Sequence, residues 1–141
     1  MALGVVAPAA IRVNPDVDAK THAKITTGRK ENKFGIDIAR ATEMFELAAT
    51  LDNVSLTSMS VHIGSQLMDV APYRDAYARL RGTTLALRQA GHVVDHLDLG
   101  GGIGVSYDGS TPPDVAEYAD IVKETVGDLD CRLSVEPGRY L

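Results

Sequence analysis

Two short clusters in the second half of the chain carry residue types that can bind an anion. In the run Gly100-Gly101-Gly102-Ile103-Gly104, backbone N–H groups can approach an anion closely because glycine has no side chain to obstruct it. In Glu136-Pro137-Gly138-Arg139, a rigid turn separates a carboxylate from a guanidinium, which suits bidentate binding of phosphate or carboxylate. Each cluster also has a structural explanation when it is taken alone: a tight turn for the first, and a surface ion pair for the second.

His62 is a third candidate, because it ends an apolar segment and is followed by Gly64 and Ser65. An imidazole in this position can stack on a planar ligand or transfer a proton, and Ser65 can donate a hydrogen bond to phosphate. For a single histidine considered alone, a half-buried structural role is the favoured interpretation.

The other histidines and the one cysteine do not form a metal-ligand pattern. His92 and His96 are four residues apart, but the segment between them is predicted to be extended, so the two rings would not converge on one ion. His22 lies in a long loop. Cys131 excludes an internal disulfide and a cysteine-based zinc site, and we interpret it as a small core residue. We therefore expect no metal site.

Composition places the chain among globular proteins and excludes several function classes. Its 141 residues fit one domain, with 45% hydrophobic and 23% charged residues. A net charge of −5 without a Lys/Arg block argues against nucleic-acid binding. The apolar residues 1–11 are too few to span a membrane and lack the positive charges of a signal peptide. We expect no membrane association and a cytoplasmic location.

Short β-branched segments alternate with longer amphipathic ones, and this alternation predicts the elements that position the candidate residues. Strands are predicted at residues 5–13, 57–63, 93–99 and 131–135, and helices at residues 38–51, 72–90 and 114–126. The remaining long segment, residues 15–38, has no clear period and is predicted to be a loop. The order βαβαβαβ indicates an α/β fold with a parallel sheet and helical crossovers.

The candidate residues share one position within this pattern. Asn14, His62, the glycine run and residues 136–139 all follow the carboxyl ends of predicted strands. That end of the strands carries the active site in (β/α) barrels and the ligand crevice in open α/β sheets. The sequence therefore predicts a single site built from all four segments.

Five motifs in this order together resemble one known family. They are Arg12-Val13-Asn14-Pro15, Asn32-Lys33-Phe34-Gly35, His62-Ile63-Gly64-Ser65-Gln66, Leu99-Gly100-Gly101-Gly102 and Glu136-Pro137-Gly138-Arg139. They resemble the fold-type III decarboxylases that depend on pyridoxal 5'-phosphate (PLP) and have an alanine-racemase-like barrel, over residues 11–141. Lys20-Thr21-His22 and Gln66 are more similar to the members that act on diaminopimelate than to those that act on ornithine or arginine.

The resemblance implies roles for the candidate residues. His62 would stack on the PLP ring, and Glu136 would pair with the ring nitrogen and keep it protonated. The phosphate would lie against Ser65, the backbone of Gly100, Gly101 and Gly102, and the turn Pro137-Gly138-Arg139. Arg139 would also lie near an amino-acid substrate. In the full-length family the enzyme is a homodimer.

The resemblance also implies that residues 1–141 form a partial (β/α)8 TIM barrel of about four βα units, without the family's C-terminal β domain. The family's Schiff-base lysine would lie upstream, so we expect the isolated chain to be inactive. Unpaired sheet edges would make it poorly stable. Alternatives are a segment of an ornithine, arginine or carboxynorspermidine decarboxylase, a non-catalytic PLP- or phosphate-binding barrel, and a half barrel that assembles with a second chain.

Overall fold

The computed structural model describes residues 4–18 and 34–141, which form one parallel sheet with helical connections. The strands are β1 (Ala7–Asn14), β2 (Ile36–Asp37), β3 (Val54–Val61), β4 (His96–Gly101) and β5 (Arg132–Glu136). The helices are α1 (Ala41–Ala49), α2 (Ala71–Gln89) and α3 (Val115–Val126). All neighbouring strands are parallel, in the order β2-β1-β3-β4-β5. The predicted α/β fold with a parallel sheet is confirmed.

The structure differs from the prediction at several boundaries. The two-residue strand β2 lies inside the predicted loop and is too short to give a sequence period. Asp37 caps a 3-10 turn at Ile38–Arg40 by accepting the Ala39 N–H, so α1 begins at Ala41, three residues later than predicted. The motifs Lys20-Thr21-His22 and Asn32-Lys33 lie outside the described residues.

One face of the sheet packs against all three helices. Strands β1, β3, β4 and β5 follow each other across the sheet, so right-handed crossovers place their connecting helices on the same side. The core contains alternate residues of the strands and the apolar stripes of the helices. Its fully buried members include Val13, Met59, Val61, Leu97 and Leu99 from the strands and Phe45, Tyr73, Tyr77, Leu80 and Leu87 from the helices. None of the helices within residues 4–18 and 34–141 has the length and apolar character needed to cross a bilayer.

The opposite face of the sheet is polar. The strand register aligns Arg12, Ser60, Asp98 and Ser134 in one row across four strands. The adjacent row contains Ser58 and His96, and the His96 Nδ1 atom lies 3.1 Å from the Ser58 Oγ atom. The His96 Nε2 atom lies 2.7 Å from the Oγ atom of Ser134 in the first row. Closed barrels usually fill this face with bulky branched residues. Here a hydrogen-bonded layer links β3, β4 and β5 instead.

Strand β5 forms one edge of the described sheet and leaves apolar side chains uncovered. Leu133 pairs in register with the buried Leu97, yet it is 36% exposed, and Val135 is 52% exposed. An apolar edge strand of this kind favours pairing with another strand.

The end of β4 passes between its neighbours at backbone contact distance. A Cβ atom on Gly101 would overlap the carbonyl oxygen of Glu136 at the end of β5. A Cβ atom on Gly102, whose φ of 96° also favours glycine, would overlap the carbonyl oxygen of Gly64 after β3. The glycine run therefore allows three strand ends to meet.

We expect Gly101→Ala to lower the free energy of unfolding by at least about 2 kcal/mol, because backbone atoms must move to accept the methyl group. Gly82→Ala is the matched control: Gly82 lies within α2 and a Cβ atom there meets no atom within 4 Å. That change should raise the free energy of unfolding by roughly 1 kcal/mol through helix propensity. Urea denaturation of both variants checks the pair, and equal effects would contradict the close approach at Gly101.

Candidate active site

The candidate residues occupy one edge of the sheet, where the parallel strands end. Asn14 is the last residue of β1, and His62 follows the last residue of β3. Gly101 ends β4 and Glu136 ends β5. Because all four strands run in the same direction, their carboxyl ends meet at this edge.

Two adjacent cavities open at this edge and share Arg12 and His62. The first, about 280 Å³, brings His62 and Glu136 together, and is lined by Arg12, Ser60, Val61, His62, Asp98 and Glu136. The second, about 300 Å³, contains Ser65 and is lined by Arg12, Asn14, Pro15, Val17, Phe34, His62, Ile63, Gly64 and Ser65. His62 therefore separates a carboxylate-bearing cavity from one that contains a hydroxyl.

Groups from the strands on both sides of β3 hold His62: the Gly101 N–H of β4 and the Arg12 side chain of β1. The Gly101 N–H donates to the His62 Nδ1 atom over 3.4 Å. The Arg12 Nη2 atom donates to the His62 carbonyl oxygen over 3.4 Å, and its guanidinium lies 5.6 Å from the centre of the Phe34 ring. An Nδ1 atom that accepts a hydrogen bond leaves the proton of the neutral ring on Nε2.

The glycine run binds side chains of the site with two of its own N–H groups. The Gly100 N–H donates to the Asp98 Oδ1 atom over 2.9 Å, and the Gly101 N–H donates to His62. These two N–H groups are thus occupied by protein acceptors. The first contribution of the run is to orient Asp98 and His62, and only its end at Gly102 lies beside Ser65.

Gln66 has a structural role that joins the loop after β3 to the glycine run. Its φ of 60° is left-handed, and its side-chain amide donates to the Val105 carbonyl oxygen and accepts the Val105 N–H. Leu67 continues the link, since its N–H donates to the Gly102 carbonyl oxygen over 2.9 Å and its own carbonyl accepts the Gly104 N–H. Ser65 is thereby held against the end of the run.

Arg139 has a different partner from the one that its sequence position suggests. Its Nη1 atom donates to the Tyr107 hydroxyl over 2.7 Å, and its guanidinium lies 5.8 Å from the centre of that ring. Arg139 and Glu136, both within the described part of the chain, form no ion pair, so interpreting residues 136–139 as a surface ion pair is wrong. Both Arg139 and Tyr107 are exposed, and neither lines the two cavities.

Sequence reasoning missed Arg12 and Asp98 as members of the cavity. Each lies two residues before a candidate residue on its own strand, Arg12 before Asn14 and Asp98 before Gly100. A period of two residues places such pairs on the same face of a strand. That signal was present, but only the register shows that the two charges belong to one row.

Two buried tyrosines of α2 hold the end of β4 from the helix side. The Tyr73 hydroxyl donates to the Gly101 carbonyl oxygen over 3.1 Å, and the Tyr77 hydroxyl donates to the Leu99 carbonyl oxygen over 3.0 Å. Burial raises the pKa of both phenols above their ordinary value, so both remain hydroxyl donors at neutral pH.

Cys131 lies just before β5, at the opposite end of the sheet from the cavities. Its Sγ atom accepts a hydrogen bond from the Arg88 Nη2 atom over 3.1 Å, and burial raises the pKa of the thiol. Within residues 4–18 and 34–141, His, Cys, Asp and Glu side chains form no group of three that could hold a metal ion.

The family described as "Pyridoxal-dependent decarboxylase, pyridoxal binding domain" matches residues 3–141. The chain belongs to this family. The predicted resemblance is therefore confirmed, and this chain contains the pyridoxal-binding region of such a protein.

The pyridoxal-binding domain is similar to diaminopimelate decarboxylases. It is 46% identical over 140 residues to that of Haemophilus influenzae, covering 99% of this chain and 34% of the relative. It is 49% identical over 139 residues to that of Pseudomonas fluorescens, covering 99% of this chain and 33% of the relative. The structure of the Helicobacter pylori enzyme complexed with L-lysine matches with a TM-score of 0.88 at 40% identity, covering 97% of this chain and 35% of that chain. The chain thus spans about a third of the length of these relatives.

The residues of the pyridoxal-binding domain suit PLP. At the sheet edge they offer an oriented imidazole in His62, a carboxylate in Glu136 and a hydroxyl in Ser65. The backbone around Gly102 is packed so closely that a Cβ atom has no room. An aromatic cation with a phosphate needs this combination of a stacking ring, a counter-charge and small donors.

We expect the neutral His62 ring to carry its proton on Nε2, because its Nδ1 atom accepts the Gly101 N–H. Two-bond ¹H–¹⁵N correlation NMR distinguishes the two tautomers. His92 is the control, since its ring makes an aromatic contact with Phe45 and no hydrogen bond within the described residues. A predominant Nδ1–H form at His62 would contradict the assigned hydrogen bond.

Proposed function

We propose that this chain is the PLP-binding segment of a diaminopimelate decarboxylase, which converts meso-2,6-diaminopimelate to L-lysine and CO2. The observation that carries the proposal is the grouping of His62, Glu136 and Ser65 around two adjoining cavities at the carboxyl ends of the strands. The identity to diaminopimelate decarboxylases across nearly the whole chain supports this substrate over ornithine, arginine or carboxynorspermidine.

The candidate residues either contact PLP or orient the groups that do, and PLP supplies the electron sink for CO2 loss when it is bound. His62 stacks on the ring, with its orientation fixed by the Gly101 N–H. Glu136 holds the protonated ring nitrogen through charge. The phosphate lies where Ser65 and Gly102 approach each other. The turn at Gly138 completes this proposed phosphate position. The complete proposed set is His62, Ser65, Gly100, Gly101, Gly102, Glu136, Pro137, Gly138 and Arg139.

Arg139 is the proposed substrate-binding residue. Its guanidinium is exposed and is held by the Tyr107 hydroxyl and ring, which leaves its other N–H groups free to bind a substrate carboxylate. The structure of the Helicobacter pylori relative is a complex with L-lysine, which supports an amino-acid ligand.

The remaining features of the proposal concern the whole enzyme. We propose that residues 1–141 act as one partial barrel domain of a cytoplasmic homodimer that binds neither nucleic acid nor membranes. The net charge of −5 supports the absence of nucleic-acid binding. The uncovered Leu133 and Val135 on β5 support pairing of this edge with further strands in the complete protein.

A chimera tests the proposed function. We expect residues 1–141 to support CO2 release from diaminopimelate when they replace the equivalent segment of the Haemophilus influenzae enzyme. Glu136→Gln in this chimera should lower kcat by at least about 100-fold, because a fixed counter-charge at the ring is lost. Glu46→Gln, on an exposed position of α1, is the matched control and should leave kcat unchanged. A Glu136→Gln chimera with the full rate would overturn the role of Glu136.

The 141-residue polypeptide alone should bind PLP without releasing CO2 from diaminopimelate. Lys123, the only lysine among the described residues, is 75% exposed on α3 and pairs with Asp120, so it is not available to the cavities as a Schiff-base lysine. Fluorescence titration with PLP and a CO2 assay on the purified chain check both parts. Release of CO2 by this chain would show that it holds a catalytic lysine of its own.

A further inference from the structure

A line of hydrogen bonds runs from the core to the cavity that contains Glu136. The Tyr118 and Tyr77 hydroxyls lie 2.9 Å apart, and the Tyr77 hydroxyl donates to the Leu99 carbonyl oxygen over 3.0 Å. The N–H of the same peptide group, which belongs to Gly100, donates to the Asp98 Oδ1 atom over 2.9 Å. The line therefore connects two buried phenols to a carboxylate on the polar face of the sheet.

Every donor in this line points toward Asp98. Tyr77 has one hydroxyl proton and gives it to a carbonyl, which can only accept, so Tyr118 must donate to Tyr77. Burial raises the pKa of both phenols, and both hydroxyls therefore stay protonated. Successive hydrogen bonds with one direction polarise each other, which strengthens the N–H that Asp98 accepts.

Asp98 has the surroundings of a binding group. It lines the same cavity as Arg12, His62 and Glu136. Within the described residues its Oδ1 atom accepts the Gly100 N–H, and its Oδ2 atom accepts no hydrogen bond. Its neighbours in the row across the strands are the hydroxyl residues Ser60 and Ser134, so no cation of that row lies directly beside it. The Gly100 N–H thus orients the Asp98 carboxylate at the wall of the cavity.

We propose that Asp98 supplies a second negative charge beside Glu136, which favours a protonated ring nitrogen on the ligand, and that Tyr77 is a positioning residue that acts on Asp98 through the Leu99–Gly100 peptide. This rests on the proposed function, because it takes PLP as the ligand of the cavity. The charge acts across the cavity, and the half-buried position of Asp98 limits screening by solvent.

Tyr73 provides a matched comparison for Tyr77. Both residues lie on α2, both are fully buried, and both donate to a carbonyl oxygen of β4. The Tyr73 hydroxyl binds Gly101, however, and the peptide that it holds does not donate to Asp98. Replacing either tyrosine by phenylalanine removes a hydrogen bond to a carbonyl of β4. Tyr77→Phe also removes the hydrogen bond with Tyr118, and of the two peptide groups only the one held by Tyr77 donates to Asp98.

The experiment compares two ligands on the full 141-residue chain: PLP, and its 1-deaza analogue, in which a C–H group replaces the ring nitrogen. Asp98→Asn should weaken PLP binding by roughly tenfold and leave the affinity for the analogue unchanged, since only PLP offers a protonated nitrogen. Tyr77→Phe should also lower the affinity for PLP and not the affinity for the analogue, by a smaller factor than Asp98→Asn. Tyr73→Phe should leave the ratio of the two affinities as it is in the unsubstituted chain.

NMR supplies a readout that does not depend on PLP. In the ligand-free chain, the Gly100 amide proton should move upfield in Tyr77→Phe and in Asp98→Asn, and should keep its position in Tyr73→Phe. Equal movement in Tyr77→Phe and Tyr73→Phe would overturn the positioning role of Tyr77.

The ligand titrations separate the two proposals. If Asp98→Asn lowers the affinities for PLP and for the deaza analogue by the same factor, the role of Asp98 is overturned, while the proposed function of the chain as a PLP-binding segment stands. No binding of PLP by the unsubstituted chain would overturn the proposed function, and with it the ring-nitrogen role of Asp98. Ser134 is an uncharged neighbour of Asp98 in the same row. Ser134→Ala should change neither the ratio of the PLP and analogue affinities nor the chemical shift of the Gly100 amide proton.

Discussion

The carboxyl end of β4 meets the backbones of both neighbouring strands, and the arrangement of the site depends on this contact. With no Cβ atoms at Gly101 and Gly102, the carbonyl groups of Glu136 and Gly64 can lie directly against the run. That approach brings the Gly101 N–H to His62 and aligns the end of β5 beside β4. The glycines therefore act first as spacers that set the distances between the functional side chains, and only their last member borders the proposed phosphate position.

Side chains on both faces of the sheet form hydrogen bonds that hold this edge. On the helix side, Tyr73 and Tyr77 donate to carbonyls of β4, where the ladder to β3 has ended. On the polar side, His96 bridges Ser58 and Ser134 across three strands. A buried carbonyl without a partner costs about 1–3 kcal/mol, so these side chains replace hydrogen bonds that an uninterrupted ladder would supply. Hydrogen bonds on both faces of the sheet therefore hold this edge.

Much of the candidate site was predictable from the sequence, and the parts that were missed have a common cause. Strand ends at His62 and Glu136 follow from local periodicity and turn residues, so the shared edge could be inferred from the chain's own pattern. Arg12 and Asp98 were not singled out, although each lies on the correct face, because a charge within a strand has many possible positions relative to its neighbours. The surface ion pair between Arg139 and Glu136 was also wrong. The actual partner of Arg139, Tyr107, is separated from it along the chain by a helix and a strand, so no local pattern indicates the contact.

The sequence by itself determined the alternation of strands and helices, the family, and the edge at which the polar clusters meet, because these depend on local periods and on short motifs. Only the tertiary structure decided which N–H group serves which acceptor and which charges share a row. The hydrogen bonds from Tyr77 to Leu99, from Gly101 to His62 and from Arg12 to His62 join residues that are 22 to 50 positions apart along the chain. Their contacts depend on strand register, and a slip of one residue would turn Asp98 and Arg12 to the opposite face of the sheet.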